Sequence, residues 1–101
     1  MATVTSKTLA RTAAATSSAT LYTVPASTTA VVTNIVVTNT AGTSGTFTLL
    51  LDDVSIATTV TVGAYDSTII DLKQVLTTTK TIKGLASAVT INFHISGVEI
   101  A

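Results

Sequence analysis

The chain has 101 residues, no cysteine, five basic and five acidic residues and a formal net charge of zero, with 47% hydrophobic but only 10% charged residues. This length supports one domain with a modest core, and the lack of cysteine removes disulfides and thiolate metal sites, leaving packing and neighbouring chains as sources of stability. Scattered basic residues (Lys7, Arg11, Lys73, Lys80, Lys83) argue against nucleic-acid binding, and apolar runs far shorter than the roughly 20 residues of a membrane helix argue against a span.

The N-terminal stretch "MATVTSKTLARTAAATSSATL" carries Lys7 and Arg11, but alanine, serine and threonine follow where a signal peptide has a leucine-rich core, so no export signal is expected. Residues 1–19 are rich in small side chains, with Val4 and Leu9 as the larger anchors. They are expected to form either an extended arm across a neighbouring chain or a frayed terminus, with residues 20–101 as the β-sandwich domain. Removal of such an arm leaves the sandwich folded.

About a quarter of the residues are threonine, ten of them directly beside valine or isoleucine, the β-branched types that fit a pleated surface. Turn clusters recur at a spacing of about 8 to 12 residues, the rhythm of an all-β sandwich or barrel. A first strand in "ATLYTVPAS" ends at Pro25, which has no ladder hydrogen bond to donate. In "TTAVVTNIVVTNT" strict alternation puts Val31, Ile35 and Val37 on one face and Val32 and Val36 on the other. With both faces apolar, this strand is central or meets another subunit, and Val32 and Val36 join Val4, Leu9 and Arg11 as candidate interface residues.

"AGTSG" is a turn, and "TFTLLL" aligns Phe47, Leu49 and Leu51. Asp52 and Asp53 suit a tight hairpin leading into "VSIATTVTV", where Val54, Ile56, Val60 and Val62 share a parity. "STIIDL" follows as a strand, and "KQVLTTTK" is the most loop-like segment, with room for a helical turn. In the closing "AVTINFHISGVEI", Ile91, Phe93 and Ile95 alternate with polar residues, and a phase slip after Gly97 predicts a β-bulge there. The expectation is an antiparallel β-sandwich of about eight strands, with a jelly-roll and an immunoglobulin-like order both open.

Chemistry is sparse. His94 is the single histidine and falls on the polar parity of its strand; the acids Asp52, Asp53, Asp66, Asp71 and Glu99 are spread over separate elements without a calcium-loop spacing. There is no nucleophile elbow, dinucleotide fingerprint or Walker motif, so no enzyme, metal or cofactor is expected. With Tyr22, Phe47, Tyr65 and Phe93 as the only aromatics, stacking surface for sugars or bases is small, though a carbohydrate-binding module stays an alternative.

The stretch "LYTVPASTTAVVTNIVVTNTAGTSGTFTL" resembles small tailed-bacteriophage virion proteins, in its "LYTVP", its threonine-rich turn, its valine-isoleucine strand ending in Asn and its Gly-Thr-Ser turn. The closing "TIKGLASAVTINFHISGVEIA" is similar to the end of such domains. The resemblance implies a β-sandwich module used on capsid surfaces, in tails or in fibres. On this basis the chain is expected to decorate and stabilise a phage capsid as a cement protein, assembled in the host cytoplasm and located in the virion. A tail, baseplate or fibre component is the alternative. The implied partners are the major capsid protein or other virion proteins and further copies of the chain, a trimer being favoured by analogy.

Overall fold

The computed structural model describes residues 3–101, which form eight strands and no helix: β1 (Val4–Ala13), β2 (Ala19–Thr23), β3 (Thr29–Asn39), β4 (Gly45–Leu51), β5 (Val54–Val62), β6 (Ser67–Leu76), β7 (Thr81–Ala86) and β8 (Ile91–Ile100). They build two four-stranded sheets, ordered β1-β8-β3-β6 and β2-β7-β4-β5. β1 pairs with β8, β2 with β7, β3 with β6 and β4 with β5, all antiparallel. The chain is therefore one long hairpin, bent at Asp52–Asp53 and rolled so that β3 also meets β8 and β4 meets β7. That order is a jelly roll, which decides between the two sandwich topologies left open by the sequence.

Most of the apolar pattern places itself as alternation predicts. Phe47, Leu49 and Leu51 of β4 and Ile91, Phe93 and Ile95 of β8 are buried between the sheets, where the Phe47 and Phe93 rings meet edge to face at 6.2 Å. The two-residue turn at Asp52 and Asp53 has positive φ at both positions (54° and 60°), as the type I′ turns that match strand twist require. Lys83 and Lys80 lie 2.8 Å from Asp53 and 3.5 Å from Asp52.

Five expectations are corrected. Val4–Ala13 is not an arm crossing to a neighbour: it is an edge strand paired along β8, with Leu9 buried in the core and the chain ends joined by Thr3 N–H to Ala101 O and Ala101 N–H to Thr3 O hydrogen bonds. The small side chains of the segment suit a strand whose outward face is open. "KQVL" is not a loop either but the second half of β6, which runs to Leu76 and leaves a short turn at 77–80.

The bulge expected at Gly97 falls instead on its two neighbours, at Leu9 of β1 and Thr33 of β3, where the registers shift beside a continuous β8. A Cβ on Gly97 would lie 2.1 Å from the Val31 carbonyl oxygen and 3.0 Å from Leu9 Cδ1, so glycine allows both neighbours to close in. The Thr33 bulge reverses parity within β3. Val32 joins Ile35 and Val37 in the core, while Val31 turns outward with Val36.

In β5, register shifts on either side of Leu49 break the shared face: Ala57, Val60 and Val62 point inward, whereas Val54 and Ile56 are exposed. Thr59 takes a positive φ of 48° there, and its N–H donates to Thr48 Oγ1.

Candidate functional site: the outer face of the β1-β8-β3-β6 sheet

Cross-strand register defines the outward face of this sheet row by row, because directly paired residues lie on the same side. From the loop end toward the chain termini the rows are Ala13–Asn92–Thr38–Ser67, Arg11–His94–Val36–Ile69, Thr8–Ser96–Asn34–Asp71, Ser6–Val98–Val31–Val75 and Val4–Ile100–Thr29. Two apolar zones result. One holds Val36 and Ile69, the other Val4, Val31, Val75, Val98 and Ile100, and the polar row with Asn34 and Asp71 separates them. Val4, Ile69 and Val75 are among the most exposed large apolar side chains of the described residues, at 65%, 67% and 63%. Beside the polar row lies a shallow depression lined by Ser6, Thr8, Thr33, Ser96 and Val98, formed where the bulges draw β1 and β3 toward Gly97. Thr33 Oγ1 donates to the Ser96 carbonyl at its floor.

Of the five interface residues expected from sequence, this face gathers Val4, Arg11 and Val36. Leu9 and Val32 are instead buried between the sheets, where they pack in the core. Val31, Ile69, Val75, Val98 and Ile100 escape the sequence-based selection. The parity slip after Gly97 is the signal that finds Val98 and Ile100; Val31 is hidden by the bulge and Val75 by the loop-like composition of "KQVLTTTK". The opposite sheet presents a different surface, dominated by hydroxyls such as Thr20, Thr46, Thr48, Thr61 and Thr81 around Leu50, Lys83 and Leu85.

A second polar cluster closes the open side of the sandwich between β1 and β2. The Lys7 ammonium donates to Glu99 Oε1 at 3.1 Å, and the Tyr22 hydroxyl of the opposite sheet donates to Glu99 Oε2. These bonds hold the Glu99 carboxyl below its ordinary range, the Tyr22 bond contributing most and the Lys7 bond next. Burial, reinforced by the adjacent carboxylate, pushes the Tyr22 phenol up. The arrangement ties sheet to sheet.

At the loop end, buried Asn39 plays the same structural part. Its amide donates to the carbonyls of Thr43, Val62 and Gly63, and its Oδ1 accepts from Ala41 N–H. Among the described residues no group of three His, Asp or Glu side chains is placed to hold a metal ion. His94 lies outward beside Arg11 and Val36, apart from the acids.

No protein-family model and no curated protein matches this chain. Among solved structures it is similar to a chain in the "Structure of infectious bursal disease virus Gx strain", at 16% identity and a TM-score of 0.47, over 98% of this chain and 31% of that one. The present chain thus spans about a third of that neighbour's length. The jelly-roll assignment itself stands on the strand pairing.

Proposed function

We propose that this chain is a structural virion protein that decorates and stabilises a tailed-bacteriophage capsid, acting through subunit and capsid-surface contacts rather than by catalysis. The observation that carries this reading is the outer face of the β1-β8-β3-β6 sheet. Its apolar rows are displayed on a sandwich whose buried core is made by other residues. An exposed apolar face rimmed by polar residues marks a protein contact surface. The low charge suits repeated packing, since like copies can crowd together without mutual repulsion. The sequence resemblance in "LYTVPASTTAVVTNIVVTNTAGTSGTFTL" supplies the virion setting.

In this reading the chain self-associates and also touches the major capsid protein, and it takes no cofactor. The test is imaging of intact virions with this chain labelled. Density over the capsid surface is expected; density confined to the tail or baseplate overturns the capsid assignment in favour of a tail component.

A further inference from the structure

We infer that the outer face of the β1-β8-β3-β6 sheet packs against the same face of a second copy, about a two-fold axis running along the strands. The inference rests on reading this face as a contact surface and adds the partner and its orientation.

The row pattern carries the argument. A two-fold axis parallel to the strands keeps each row opposite itself and reverses strand order, so that β6 of the second copy lies over β1 and β3 lies over β8. Val31 then meets Val98 of the second copy, and the polar row meets the polar row, with Asn34 facing Ser96. Val75 of the second copy comes down over Ser6, against the depression lined by Ser6, Thr8, Ser96 and Val98. An exposed knob thus faces a hollow of the same protein, as a two-fold contact demands.

Charge makes the same choice. Arg11 lies on the β1 edge and Asp71 on the β6 edge, one row apart, and neither has an ion-pair partner among the described residues. With the axis along the strands, each Arg11 lies over Ile69 of the second copy and one row from its Asp71. Two residues of strand span about 6.6 Å and facing sheets lie about 10 Å apart, so the two Cα atoms are about 12 Å apart, a gap that the arginine and aspartate side chains close together. An axis perpendicular to the strands places Asp71 over Asp71 and Arg11 over Ser6, which juxtaposes like charges and leaves the cation unmatched. His94 faces Val36 in the favoured arrangement. Lys73, at the β6 irregularity, meets no acid there.

The area is adequate for a specific but modest dimer. Four strands about 4.8 Å apart and about ten residues long cover roughly 600 Å², compared with about 800 Å² per partner in standard complexes. A face-to-face dimer of this kind stands in place of the trimer implied by the resemblance.

Sedimentation equilibrium of the full chain at micromolar concentration tests the inference. The expected mass is twice that of the 10.2 kDa chain; a monomer or a trimer overturns it. Arg11→Asp and Asp71→Arg are each expected to weaken dimerisation about ten-fold or more, and the double variant is expected to restore it. Lys73→Ala is expected to leave it unchanged. Unaltered dimerisation in both single variants, failure of the double variant to recover, or a Lys73→Ala effect as large as that of Arg11→Asp each overturns the proposed axis. Circular dichroism melts of every variant separate loss of association from loss of fold. A solution monomer that still decorates particles sinks this inference alone, whereas a dimer absent from capsids sinks the capsid assignment alone.

Discussion

Two residues show how much of this fold depends on single side chains, or on the lack of one. Gly97 sits where the Val31 carbonyl would be 2.1 Å from a Cβ, and backbone on that side has no rotamer with which to yield. Gly97→Ala is therefore expected to separate β3 from β8 and to cost about 3 kcal/mol or more, at the upper end of overpacking penalties, read by urea denaturation. A loss below about 1 kcal/mol would mean that the strands part easily there. Glu99 and Tyr22 give a pH signature instead. Because the folded Glu99 carboxyl titrates below its ordinary range, its contribution to stability is present above that range and fades as pH falls through the lowered value. Because the Tyr22 phenol titrates above its ordinary value, its contribution is intact at neutral pH and fades as pH rises beyond about 10. Tyr22→Phe is expected to lower the melting temperature at neutral pH, to converge with the parent in strong acid and to lack the parent's alkaline decline. Parallel melting curves from pH 2 to 12 would show that the cluster is decorative.

Among the elements, β1 is where sequence and structure part most clearly. The alternation of Phe47, Leu49 and Leu51, and of Ile91, Phe93 and Ile95, made β4 and β8 legible, since period-two burial is the strongest local signal of a strand. β1 has no such signal: its inward residues are Thr5, Lys7, Ala10 and Thr12 with Leu9 at a bulge, and what holds it is backbone pairing to a strand at the other end of the chain. The candidate face suffered from the same cause, because a bulge at Thr33 exchanges the roles of Val31 and Val32 without any residue type that announces it. Deleting residues 1–13 tests the assignment of β1. It uncovers Phe93 and Ile95 along one side of β8 and removes Leu9 from the core. The truncated chain is expected to lose its cooperative melt at 25 °C, by circular dichroism and tryptic sensitivity. Retention of the melt within about 5 °C of the parent, a shift worth only about 1 kcal/mol in a domain of this size, would return the segment to the status of an arm.

At the scale of the whole molecule, the nested pairing makes the fold one of long-range contacts. Only β4 and β5 are joined as a tight hairpin, while β3·β6, β2·β7 and finally β1·β8 close successively larger loops. Each closure carries an entropy cost that its ladder offsets only once formed, so folding in the millisecond-to-second range is expected. The Asp52–Asp53 turn starts the nest, and its two residues hold the left-handed backbone that glycine adopts more freely. Asp53→Gly gives up the exposed pair with Lys83, worth about 0–1 kcal/mol, and relieves a left-handed penalty of about 1 kcal/mol. Equilibrium stability is thus expected to move little, while residual hairpin formation in the unfolded chain rises and folding accelerates by about three-fold or more, since a change of about 0.65 kcal/mol in the barrier is a three-fold change in rate. Stopped-flow refolding and unfolding arms read this directly: a folding arm and an unfolding arm accelerated by about the same factor, as unchanged stability requires, place the hairpin in the transition state. If the folding arm does not accelerate, the turn closes after the rate-limiting step, and folding starts instead from the β3·β8 centre of the other sheet.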